Sequence, residues 1–197
     1  VIMKVAVPER RNNLPTPLVR EYYTRVLAYI VGAASIAAGY SIQYFGNDVL
    51  WLIPYALLYP HLAHHASARF KQNNAKQTIL ALLFVDALHA GILIALMGFS
   101  VVPSLMIVLI LSFSALINGG PRPLALGLLV ACSGAILTST LTGLHFKGNS
   151  PIALSVVSVF FASLYICITA YFVHEQSINL AVARGEITRE QEKAAKL

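Results

Sequence analysis

A chain of 197 residues that is 57% hydrophobic and only 11% charged excludes a soluble enzyme and belongs with membrane proteins. Its net charge of +6 is not a nucleic-acid signal, because cytoplasmic Lys and Arg facing anionic lipid account for it. Cys132 and Cys167 both fall in mid-span, where a free thiol behaves as a small apolar group and says nothing of redox compartment.

Residues 1–21 are polar and interrupted by Pro8, Pro15 and Pro17, which prevent a continuous helix; Leu18 to Tyr23 suit the membrane interface. Apolar stretches then run over 22–45, 49–66, 78–99, 101–117, 124–143 and 152–173. Each is near the ~20 residues needed to cross ~30 Å of hydrocarbon. The expected fold is therefore all-α, a polytopic bundle of six transmembrane helices. With the N-terminus in the cytoplasm, every Lys and Arg falls inside except Lys147, which predicts that both termini are cytoplasmic.

The first span carries Ala28, Gly32, Ser35 and Gly39 at helical spacing, a small-residue face that another helix can approach closely. This face is expected to pack helices and to serve as the seam of a dimer. Gly127, Ala131, Gly134 and Thr138 repeat the device in the fifth span. Gly119-Gly120-Pro121-Arg122 reads as a rigid inner turn, with Arg122 reaching headgroups or the last carbonyls of the fourth span. Connections this short make sequential spans antiparallel neighbours. The longest outer loop, near His145, is too small to form a binding domain, so a stimulus must come from the lipid or from a cavity. After residue 173 a charged, weakly heptad-like segment reads as a helix leaving the membrane. Three parts result: a cytoplasmic segment 1–21, a six-helix membrane domain 22–173 and a cytoplasmic signalling helix 174–197.

Asp86 and His89 share one face of the third span, and an ionised carboxylate that deep needs a partner or a hydrated cavity. They form either a local hydrogen-bonded pair or a responsive site. His61 precedes the short basic loop between the second and third spans, so it is expected to share a polar cavity with Asp86. His61, His64 and His65 resemble one histidine box of membrane desaturases, but the chain has only six histidines in all. A single-metal site from His61 and His65 is conceivable by spacing; no metal is expected. Nothing resembles a nucleophile elbow, a phosphate loop or a pair of catalytic carboxylates, so no catalytic residue and no cofactor are assigned.

A larger pattern runs through Pro60-His61-Leu62-Ala63, Asp86-Ala87-Leu88-His89-Ala90-Gly91, Met97-Gly98, Val102-Pro103-Ser104, Gly119-Gly120-Pro121-Arg122 and Leu141-Thr142-Gly143. It resembles the type-2 membrane-associated sensor (MASE-class) domain that precedes bacterial nucleotide cyclases, over roughly residues 15–180. The resemblance implies six spans, location in the bacterial inner membrane, and a cytoplasmic effector after the last helix. That effector is a class III adenylate cyclase or a diguanylate cyclase. The tail from Glu175 to Glu186 resembles the adenylate cyclase members, so the expected parent makes cyclic AMP from ATP with Mg in its cyclase domain. The resemblance further implies a homodimer and a small hydrophobic ligand sensed by the bundle, with His61, Asp86, His89 and Arg122 as binding or signalling residues. A passive dimerising anchor, a diguanylate cyclase anchor and a small transporter or membrane enzyme remain as alternatives.

Overall fold

A computed structural model describes residues 17–69, 75–143 and 146–194. Expectations placed on residues 1–16, on the basic loop at Lys71, on His145 and on the chain's last three residues lie outside these. The described residues form α1 (Pro17–Ser41), a 3-10 turn (Asn47–Val49), α2 (Leu52–Arg69), α3 (Ala75–Leu96), α4 (Val101–Gly119), α5 (Pro121–Thr142) and α6 (Ile152–Ala194). The six apolar stretches of the sequence each fall within one of these helices or just beyond its ends. By length and composition, α3, α4, α5 and most of α6 are apolar enough to cross a membrane. α1 and α2 stand apart, because α1 carries Arg20, Glu21 and Arg25 and α2 carries two prolines and three histidines.

Three features refine the sequence reading. α1 is helical from Pro17, the first described residue, so Leu18 to Tyr23 belong to the first helix. α6 does not pause at residue 173 but continues as one 43-residue helix, since no proline or turn residue stops it and Gly185 meets no neighbour. Arg25, counted above among the cations at the cytoplasmic surface, is buried inside the bundle.

Packing is tightest between α3 and α5. Gly127, Ala131, Gly134 and Thr138 form the buried face of α5. A Cβ on Gly91 of α3 would lie 1.9 Å from the Ala131 carbonyl oxygen, and one on Gly134 would lie 2.7 Å from that of Leu88. The helices therefore meet backbone to backbone, the form of contact that dispersion rewards when surrounding lipid is as apolar as the protein. Leu83, Ala87, Leu111 and Ala115 fill the adjoining core. α6 packs between α1 and α4, with Val31, Ile110, Ala162 and Tyr165 buried at that junction.

The small-residue face of α1 is occupied within the chain. The Ser35 hydroxyl lies 3.2 Å from that of Ser158 on α6, and the Phe45 ring covers Gly39 so closely that a Cβ would lie 2.2 Å from it. That face is therefore not free to meet a second copy, which corrects the expected dimer seam. At the inner turn Gly120 has φ +80, its N–H donates to the Leu116 carbonyl at 3.1 Å, and Pro121 begins α5.

The opposite end is a hydrogen-bonded cap joining three connections. The Lys147 N–H donates to the Gly98 carbonyl and the Val101 N–H to that of Gly148. The Tyr44 hydroxyl donates to the Asn149 carbonyl at 2.7 Å, while the Lys147 ammonium reaches the Tyr44 carbonyl and lies over the Tyr44 ring.

The contrast between two glycines tests this packing. Gly91→Ala should lower stability by about 2 kcal/mol or more, because backbone rather than a pliant side chain blocks the new methyl. Gly127→Ala, whose Cβ would be 4.0 Å from that of Ala87, should be neutral or mildly stabilising. Thermal unfolding of the two detergent-solubilised variants checks the order.

Candidate functional site: a cavity closed by a buried ion cluster

α1, α2, α3, α4 and α6 each contribute one face to a central cavity of about 330 Å³, which α5 does not reach. On α1 the spacing Glu21, Arg25, Ala28/Tyr29, Gly32, Ser35/Ile36 keeps one stripe turned inward. α3 presents Asp86, His89/Ala90 and Leu93, and α2 presents Leu52 and Tyr55/Ala56. α4 adds Pro103, Met106/Ile107, Ile110/Leu111 and Ser114, and α6 adds Tyr165. Polar groups gather toward one end, while Ile36, Leu52, Pro103 and Ile107 make the rest aliphatic.

The polar groups form a directed chain. Arg25 donates from Nε to Asp86 Oδ2 at 2.8 Å and from a terminal nitrogen to Glu21 Oε1 at 3.3 Å. The Tyr29 hydroxyl donates to Asp86 Oδ1 at 3.1 Å and lies 3.0 Å from His89 Nδ1. A hydroxyl has one proton, so His89 must donate from Nδ1 to Tyr29. A neutral His89 then accepts at Nε2, where the Tyr55 hydroxyl stands at 2.8 Å. At the other end Asn118 of α4 donates to Glu21 Oε2 at 2.9 Å. Tyr55, His89, Tyr29, Asp86, Arg25, Glu21 and Asn118 thus connect α2, α3, α1 and α4 without a break. The side chains of Arg25 and Asp86 are only 3% and 18% exposed, so each ion depends on the other for the solvation it has lost.

The pairing of Asp86 with His61 expected from the sequence is not the one found. Asp86 lies in the cavity, but His61 does not: its ring is exposed on α2 and bonds the Tyr22 hydroxyl at 2.9 Å. The expected shared cavity of His61 and Asp86 is therefore corrected. Tyr55 and Tyr59 put the opposite face of α2 against His89, and two residues beyond Tyr59 a helix has turned ~200°. His89 and Asp86 are joined through Tyr29 rather than directly. Arg122 is exposed in the first turn of α5 and is not part of the cavity wall. Among the described residues no three His, Cys, Asp or Glu side chains converge on a common point. Glu21, Arg25, Tyr29 and Tyr55 escaped the sequence reading. Glu21, Arg25 and Tyr29 at successive fourth positions, on the face of Gly32, were the available signal.

Long apolar helices around a buried charge cluster define a multi-pass membrane protein. A family model for the MASE2 domain matches residues 20–109, covering most of α1, α2, α3 and about half of α4. Over that region the chain is similar to the MASE2 domain. Two curated relatives, both called "Probable diguanylate cyclase DgcC", from Escherichia coli K12 and an O6:H1 strain, are 31% identical over 105 residues. The aligned part is 53% of this chain and 28% of each relative, so the chain spans well under half of their length. No solved structure matches.

Removing the guanidinium alone should be costlier than removing it together with the Asp86 carboxylate. Arg25→Met strands two carboxylates and should destabilise the bundle by about 3–5 kcal/mol, while Arg25→Met with Asp86→Leu should recover part of that loss. His61→Ala, at an exposed bond, should change stability by less than about 1 kcal/mol. Unfolding midpoints of the three proteins give the comparison.

Proposed function

We propose that this chain is the membrane sensor module of a bacterial nucleotide cyclase, in which an apolar ligand in the cavity alters how α6 sits against α1 and α4. The carrying observation is the buried Arg25–Asp86–Glu21 cluster beside an aliphatic cavity whose wall includes Tyr165 of α6. A plain anchor has no need of three buried charged groups, which cost several kcal/mol each to desolvate. A ligand that binds two arrangements of the cluster unequally shifts the balance between them. The effector we favour is a diguanylate cyclase, because both curated relatives carry that name. This revises the adenylate cyclase expected from the tail, a preference that rested on one short segment. That segment, Glu175 to Glu186, is the support for an adenylate effector as the second reading. Either effector acts as a homodimer in this proposal, with nucleotide and Mg in the cyclase domain.

The proposed topology is six spans in the bacterial inner membrane with both termini cytoplasmic. Arg20, Lys76, Arg122 and Arg184 lie toward the end away from Lys147. With Cys132 and Cys167 replaced by Ser, a cysteine at position 149 should react with an impermeant maleimide in intact cells. One at position 13 should react only after lysis; the reverse pattern would invert the bundle.

Cells expressing the full-length gene should accumulate cyclic diguanylate, and Asp86→Asn should change that level several-fold at equal membrane abundance. Accumulation of cyclic AMP in its place would transfer the effector to the second reading. Unchanged output from Asp86→Asn, and from a protein whose bundle is exchanged for an unrelated one, would leave only a passive anchor.

A further inference from the structure

The cavity wall contains two exposed side chains, Trp51 at 56% and Tyr55 at 36%. Trp51 immediately precedes α2 and Tyr55 lies in its first turn, so the cavity opens there. α2 packs along α1, but its backbone barely approaches α3. Beside the cavity those two helices are joined by aromatic side chains: Tyr55 and Tyr59 stand perpendicular to the His89 ring, with centroids 5.5 and 4.6 Å away. The crevice between α2 and α3 faces the surroundings of the bundle, which in a multi-pass protein are lipid tails. One hydrogen bond, Tyr55 hydroxyl to His89 Nε2 at 2.8 Å, spans it.

We propose that this crevice is a lateral portal, closed by the Tyr55–His89 bond, through which a single-chain, uncharged amphiphile enters from the bilayer. The inference rests on reading the cavity as a ligand site, and adds the route, the gate and the ligand class. Size sets the first limit. At ~30 Å³ for each small non-hydrogen group, the share a water molecule takes in its liquid, the cavity holds roughly eleven such groups. That admits one medium chain with a compact head and refuses a two-chain phospholipid. Charge sets the second. Arg25 is already shared between Glu21 and Asp86, so the cluster has no surplus positive charge for an anionic head. All four carboxylate oxygens already accept a hydrogen bond from Arg25, Tyr29 or Asn118, so a cationic head would have to compete with those donors. A hydroxyl or carbonyl needs neither, because it can exchange hydrogen bonds with Tyr29, His89 and Tyr55 while the ions stay paired. The head then occupies the polar end and the tail lies along Pro103 and Ile107. Entry costs the Tyr55–His89 bond, and the bound head replaces it.

Trp51 is the sole tryptophan of the chain and stands at the portal, so its fluorescence reports entry directly. The 197-residue protein in phosphatidylcholine vesicles, titrated with 10-bromodecan-1-ol, should show a saturable quenching component reversed by decan-1-ol but not by decanoate. Gly32→Val and Ile107→Phe fill the cavity from opposite walls, and each should weaken that component by about tenfold or more. Two such variants guard against one that fails to fold. Tyr55→Phe keeps the ring and removes the bond, and should speed association roughly two- to tenfold. Quenching that rises without saturation and is equal in both filled variants overturns the portal. Equal competition by decanoate overturns the ligand class, and an unchanged rate in Tyr55→Phe overturns the gate. Because the readout is not cyclase output, saturable entry with an unresponsive cyclase defeats the sensing reading alone. A cyclase that responds to Asp86→Asn without saturable entry defeats this one alone.

Discussion

A guanidinium that cannot reach water must be held by groups that replace its hydration, and Arg25 imposes that demand on everything around it. Its carboxylates come from two helices: Glu21 one turn back on α1 and Asp86 across the interface on α3. The register of α1 against α3 is therefore set by charge, since sliding either helix by one residue would leave an ion unpaired in a medium of low dielectric. This matters because α1 and α3 have little other direct contact. The space that the ion cluster props open between them is the cavity.

The bundle divides by the kind of force that holds each part. α3 and α5 meet through glycine at backbone contact, a junction with no room for adjustment. α2 is held on α1 and otherwise reaches α3 by rings and a hydroxyl. A ligand that rearranges hydrogen bonds acts on the second kind of junction and leaves the first intact. The cap at Lys147 also resists change, because three connections share its hydrogen bonds. In the proposed sensor, movement is thereby left to the opposite end, where the contacts to rearrange are those of Arg20 with Gln176 on α6 and of Asn118 with Glu21.

Helix number and approximate limits were legible because apolar length and turn residues such as Gly120-Pro121 are local properties. The close α5 face was legible as a small-residue stripe, although nothing in the sequence says that α3 is its partner. Asp86 was legible because an acid in an apolar run always demands explanation. Its partner was not, since Arg25 near the start of a span looks like an ordinary surface cation until the fold carries it inward. His61 misled for a related reason. Depth along a helix can be read by counting residues, but the direction a side chain faces depends on where neighbouring helices stand, and a two-residue offset reverses it. The stripe on α1 was legible as small residues at helical spacing, but nothing in the sequence says that Phe45, Ser158 and the cavity lie against it rather than a second copy.

The unbroken course of α6 has a mechanical consequence. Tyr165 lies against the cavity, and the helix continues from there to Ala194, a rod of roughly 44 Å at 1.5 Å per residue. A tilt of only ~5° about Tyr165 would sweep its far end through about 4 Å, most of a helical turn's rise. A displacement of a few tenths of an ångström beside the cavity, too small to disturb the packed core, therefore becomes one that matters wherever two such rods must bring their ends together.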